Sequence, residues 1–138
     1  MKEKIKIYIG ELIHGTKPFP ILNRHLGIPP YAGVKPYRAI FEEMDFSFIE
    51  LTQKPEEADF FLFPHNYFSV RDKTRIDRFV LDAHIYNKQA LIFAFGDTEG
   101  DIDIKNAIML RYSGYRYQGI KKNEIIIPTQ IYAGDILQ

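Results

Sequence analysis

The chain opens on an alternation: Lys4-Ile5-Lys6-Ile7-Tyr8-Ile9 sets polar against apolar positions, rich in β-branched residues, and Gly10 closes the run. A period of two is the pattern of a strand with one buried face, so a first strand is predicted here. Phe46-Ser47-Phe48-Ile49-Glu50-Leu51 reads as a second strand. Phe60-Phe61-Leu62-Phe63 is apolar at every position, as in a parallel strand buried on both faces, and Pro64 stops it. Ala90-Leu91-Ile92-Phe93-Ala94-Phe95 is a second such run, ended by Gly96-Asp97, and Ala107 to Leu110 and Glu124 to Ile127 supply two shorter strands.

The period changes between Asp72 and Lys88, where Ile76, Phe79, Val80 and Ala83, with Tyr86 or Asn87, line one helical face and Arg75, Asp77, Arg78 and Asp82 the other. Val34, Tyr37, Ile40, Phe41 and Met44 follow the same spacing, with Pro36 in a first turn and Glu42, Glu43 and Asp45 closing the segment. From Glu11 to Tyr31, Gly15, Pro18, Pro20, Gly27, Pro29 and Pro30 exclude a regular element of any length and predict a long loop, a class that often carries sites.

Strands alternating with helices predict an α/β architecture. The expected fold is a single Rossmann-like three-layer domain over residues 1–138, a mainly parallel sheet flanked by helices, with a ligand crevice at the carboxyl ends of the strands. A length of 138 residues suits one domain, and 46% hydrophobic content suffices for its core.

Eighteen basic and eighteen acidic residues leave no net field to steer a phosphate polymer, so nucleic acid is not an expected partner. The absence of cysteine excludes disulfides, thiolate metal sites and cysteine nucleophiles, and a cytoplasmic location is expected. Ile5 to Ile9 is too short, and too interrupted by lysine, for a signal core or a membrane span. No G-x-G-x-x-G or G-x-x-x-x-G-K-[ST] motif is present, which disfavours NAD and ATP sites. His14, His25 and His84 show no metal-site spacing, and Asp97, Glu99, Asp101 and Asp103 lack the glycine and glutamate of a calcium loop, so no metal is expected.

Three stretches, in order, resemble the exostosin-like glycosyltransferases of GT-B fold. Lys54-Pro55-Glu56-Glu57-Ala58-Asp59-Phe60-Phe61-Leu62-Phe63-Pro64 is similar to the family's proline, acidic, alanine, aspartate, hydrophobic strand, proline signature. The strand Leu91 to Phe95 with Gly96-Asp97 resembles the family's aspartate after a buried strand, although the tryptophan and the glycine-rich segment before it are missing. Asn106-Ala107-Ile108, Ser113-Gly114 and Glu124-Ile125-Ile126-Ile127-Pro128 resemble its closing passage. The resemblance covers roughly residues 36–130, with gaps. It implies the amino-terminal, acceptor-side half of such an enzyme: a domain that binds a saccharide acceptor and is incomplete for transfer without a carboxyl-terminal, donor-binding half. No cofactor is expected in this chain, and a nucleotide-sugar donor only with that second domain.

Within this frame Asp97 and His65, each following a buried strand, are the candidate catalytic residues, able to take a hydroxyl proton or to hydrogen-bond a sugar. Tyr67, Glu99, Arg111, Tyr112, Tyr115 and Arg116 are the candidate substrate-binding residues, the tyrosines and arginines for stacking on a sugar face and holding an anion. Asp97 has a plainer reading as a turn-forming aspartate, Glu99 as part of a solvated acidic turn, and Arg111, Tyr112, Tyr115 and Arg116 as a solvated loop. The alternative function is a non-catalytic Rossmann-like module that binds carbohydrate or protein. A receiver domain is set aside, because the third strand ends in Pro64-His65 where a phosphoacceptor aspartate would stand.

Overall fold

The computed structural model describes residues 3–28, 47–94, 102, 104–112 and 123–127. Its strands are β1 (Ile5–Tyr8), β2 (Ile49–Leu51), β3 (Phe60–Leu62), β4 (Gln89–Ala94), β5 (Ala107–Tyr112) and β6 (Glu124–Ile127). They form one six-stranded sheet in the order β2-β1-β3-β4-β5-β6. Every pairing is parallel, with Ile7 opposite Leu51 and Phe60, Leu62 opposite Leu91, and Leu110 opposite Phe93 and Ile125. This is an α/β, Rossmann-like domain.

Alternate residues of each inner strand enter different cores, so the sheet is covered on both faces. Phe61, Ala90, Ile92, Ala94 and Met109 pack with Ile76, Val80 and Ala83 of α1 (Thr74–Ile85). Ile7, Leu62 and Phe93 pack on the opposite face with Leu22, Phe19 and Leu26, and the Phe19 and Phe93 rings stack at 4.0 Å between centroids. Removing the side chains of Ile76 and Val80 from water stabilises the docking of α1 by about 1.5–3 kcal/mol each.

The ends of α1 are built by its sequence. The Asp72 carboxylate accepts from the Thr74 amide at 3.1 Å and from the Thr74 hydroxyl, and these bonds hold its carboxyl below the usual range. At the other end Asn87 takes a left-handed φ of 56°, with the Lys88 N–H donating to the Ala83 carbonyl and the Asn87 N–H to that of His84. This double bond pattern stops the helix where asparagine tolerates positive φ.

The loop expected from Glu11 to Tyr31 holds a regular element after all: a 3-10 helix over Pro20–Leu26. Pro20 stands in its first turn, where a fixed φ favours a start, and Gly27 ends it at φ 72°. Proline here starts a helix instead of breaking one. The helix expected from Val34 to Met44 lies outside the described residues.

Candidate functional site

From β1 the chain crosses to β2 on one side and then to β3 on the other, so the strand order reverses between β1 and β3. The connections leaving the carboxyl ends of those two strands therefore diverge and leave a crevice, the usual ligand position in open parallel sheets. A cleft of about 550 Å³ lies at this point. Tyr8, Gly10, Glu11 and Ile13 line one wall, and Asp72, Arg75, Arg78 and Asp82 of α1 and its approach line the other, with Phe63 and Phe79 between. A smaller depression of about 330 Å³ beside Leu81, His84 and Lys105 lies toward the amino end of β5, away from the crevice.

Each wall has a local cause. Tyr8 is the last residue of β1 and rests its ring on Phe61 at 4.8 Å between centroids. Burial raises the pKa of its phenol, and the nearby Asp82, Tyr86 and Glu11 raise it further, so the hydroxyl stays a neutral donor. Gly10 turns the chain away from the sheet at φ 68°, a conformation that L side chains rarely adopt. A Cβ there would meet the Phe79 ring at 3.5 Å, ordinary contact, so the backbone angle and not space calls for glycine.

His65 stands beside this cleft but not in it. Its side chain is wholly buried. Nε2 accepts from the Ile13 N–H at 2.9 Å, and Nδ1 donates to the Lys17 carbonyl at 2.9 Å. These partners make the imidazole neutral with its proton on Nδ1, and burial lowers its pKa below the usual 6.5. Both ring nitrogens are thus engaged with the loop after β1, so His65 organises that loop. It is not placed to take a proton from a ligand.

Tyr67 is also tied inward. It opens a 3-10 turn, Tyr67–Ser69, packs edge-on against Phe68, and carries the Lys73 ammonium 3.9 Å from its ring centre. Lys73 donates to the carbonyls of Tyr67 and Val70, and burial lowers its pKa. Arg111 is buried in β5 and pairs with the equally buried Glu124 of β6 at 3.0 Å, a bond that ties the last strand to the sheet. Tyr112 ends β5. The side chain of Tyr112, and all of Asp97, Glu99, Tyr115 and Arg116, lie outside the described residues.

The structure thus gathers Tyr8, Glu11, Arg75, Arg78 and Asp82, which pattern reading had assigned to a strand, a loop and the solvent face of a helix. The usable signal was positional: the loop after the first strand and the helix after the third converge once the strand order is known. No group of three or more histidine, aspartate or glutamate residues able to hold a metal occurs among the described residues. No helix among them is long and apolar enough to cross a membrane.

Comparison of the chain with protein-family models, with curated proteins and with solved structures finds no match.

Proposed function

We propose that this domain binds a saccharide in the cleft between β1 and α1, as the acceptor-side half of an exostosin-like glycosyltransferase. The observation that carries the reading is the lining of that cleft: a neutral phenol, three carboxylates and two guanidiniums around an aromatic floor, at the switch point of the sheet. Carboxylates and guanidiniums grip neighbouring hydroxyls in pairs, and Tyr8 and Phe79 offer apolar ring faces for the carbon face of a sugar.

The same lining argues against a nucleotide diphosphate at this place. Carboxylates outnumber guanidiniums in it, by Glu11, Asp72 and Asp82 to Arg75 and Arg78. The first turn of α1, where a phosphate would seek free amides, already has its Thr74 N–H taken by Asp72. A pyrophosphate donor therefore belongs to a second, donor-binding half, which must also complete the closed site that glycosyl transfer requires. The stretch Pro55 to Pro64, on which the resemblance rests, contains β3 and brings Phe63 into the lining of the cleft.

The test is a saturation-transfer NMR screen of the chain against oligosaccharides and, separately, nucleotide sugars, repeated with Asp82→Asn and Arg78→Ala. Saturation of an oligosaccharide alone is expected, weakened about tenfold in each variant as a charged hydrogen-bond partner is lost. Saturation of nucleotide sugars, or of neither class, overturns the reading.

A further inference from the structure

The loop that forms one wall of the cleft is tied by a buried side chain from the other side of the switch point. His65 follows β3, whereas Ile13 and Lys17 belong to the loop after β1, so the two hydrogen bonds of its ring span 52 and 48 residues of sequence. A third bond reinforces the crossing, from the Phe19 N–H to the Pro64 carbonyl at 2.6 Å. Ile13 itself lines the cleft, together with Gly10 and Glu11 of the same loop.

This geometry has a chemical condition. A backbone amide can donate to Nε2 only while that nitrogen carries a lone pair, and the Lys17 carbonyl already claims the proton on Nδ1. A second proton on the ring would set an N–H against the Ile13 N–H in a site closed to water, so the imidazolium and the latched loop exclude one another. Resting on the saccharide-binding reading above, we infer that His65 is a positioning residue: its neutral imidazole holds the wall of the cleft, and ligand binding is lost when it takes up a proton.

The neighbourhood supports this. Titratable and charged groups on the packed elements are Glu11, His14 and Lys17 on the loop and Tyr67, Arg71, Asp72 and Lys73 on the segment leading into α1. Among the described residues none of these charges shifts the ring; burial favours its neutral form, and only the Lys17 carbonyl opposes it. The Phe63 ring stands edge-on to the imidazole with centroids 5.9 Å apart, and offers no counter-ion. Among the described residues, protonation therefore finds no carboxylate to stabilise it in place.

The experiment follows the chain by NMR from about pH 8 to about pH 5, the range in which histidine charge changes. Long-range nitrogen–proton spectra are expected to show His65 as the Nδ1–H tautomer at neutral pH. Exchange protection of the Ile13 amide is expected to fall in step with His65 protonation. Oligosaccharide saturation is expected to drop several-fold over the same range, and to become independent of His65 protonation in His65→Gln, whose amide can accept from Ile13 and donate to Lys17 at any pH. An Nε2–H tautomer, or an Ile13 amide indifferent to His65 protonation, overturns the inference with the unaltered chain alone, whether or not the variant folds. Saccharide binding that ignores this pH range also overturns it. A latch that titrates as described in a chain that binds no saccharide at any pH sinks the functional reading instead, and leaves the latch as a property of the loop.

Discussion

Asp59 shows how a residue that resembles part of a family signature is explained by backbone chemistry. Its carboxylate accepts from the Lys6 N–H at 2.8 Å, and its own N–H donates to the Lys6 carbonyl at 2.8 Å, so one residue clamps the start of β3 to β1. The residues before it form the 3-10 turn Pro55–Glu57, which delivers the buried Ala58 to the core. Asp59→Ala is expected to lower unfolding stability by about 1 kcal/mol, with Asp59→Asn retaining part of it because an acceptor remains. Urea titration checks this, and an unchanged midpoint for the alanine variant would show that water replaces the clamp without loss.

At the scale of elements, β6 is joined to the sheet by a buried ion pair. Among the described residues it pairs with β5 alone, at the end of the sheet, and Ile125 on it is half exposed. The Arg111–Glu124 pair joins these two strands with both side chains about 5% exposed. Asn123 adds bonds from its amide to the Ile104 and Ala107 carbonyls at 2.9 and 3.0 Å, which fix the approach to β6. Arg111→Met removes the guanidinium from a buried ion pair, so a loss of about 3–5 kcal/mol is expected. Arg111→Met with Glu124→Leu is expected to recover most of that loss, since a well-packed apolar pair avoids the desolvation of both charges. Thermal unfolding of the three proteins decides it; a double variant no more stable than the single one refutes the argument.

For the molecule as a whole, the buried imidazole links folding to pH. The folded chain holds the His65 pKa below 6.5, so the unfolded chain binds the proton more readily. Above about pH 6.5 neither state is protonated there and the stability is fully present. As pH falls from that value toward the lowered native one, stability is lost, and below the native value this residue contributes no further change. Denaturant midpoints measured across that range are expected to fall for the natural chain and to fall less in His65→Gln. Equal slopes for the two proteins would assign the acid sensitivity to other groups.

The order of strands along the chain and the helix at Thr74–Ile85 were legible in the sequence, because a buried strand must be apolar on every face it hides and a docked helix on one stripe. Pattern could not show that Pro20 starts a helix, since a proline reads as a breaker until its position in a turn is known. Nor could it place the ring of His65: a histidine after a strand points into a crevice or under a loop depending on a residue 52 positions away, and sequence spacing does not encode that approach. Strand order settled the rest. Only when β1 lies between β2 and β3 do Tyr8, Glu11, Arg78 and Asp82 share one cleft, because the reversal of winding there parts the loops that packing joins elsewhere.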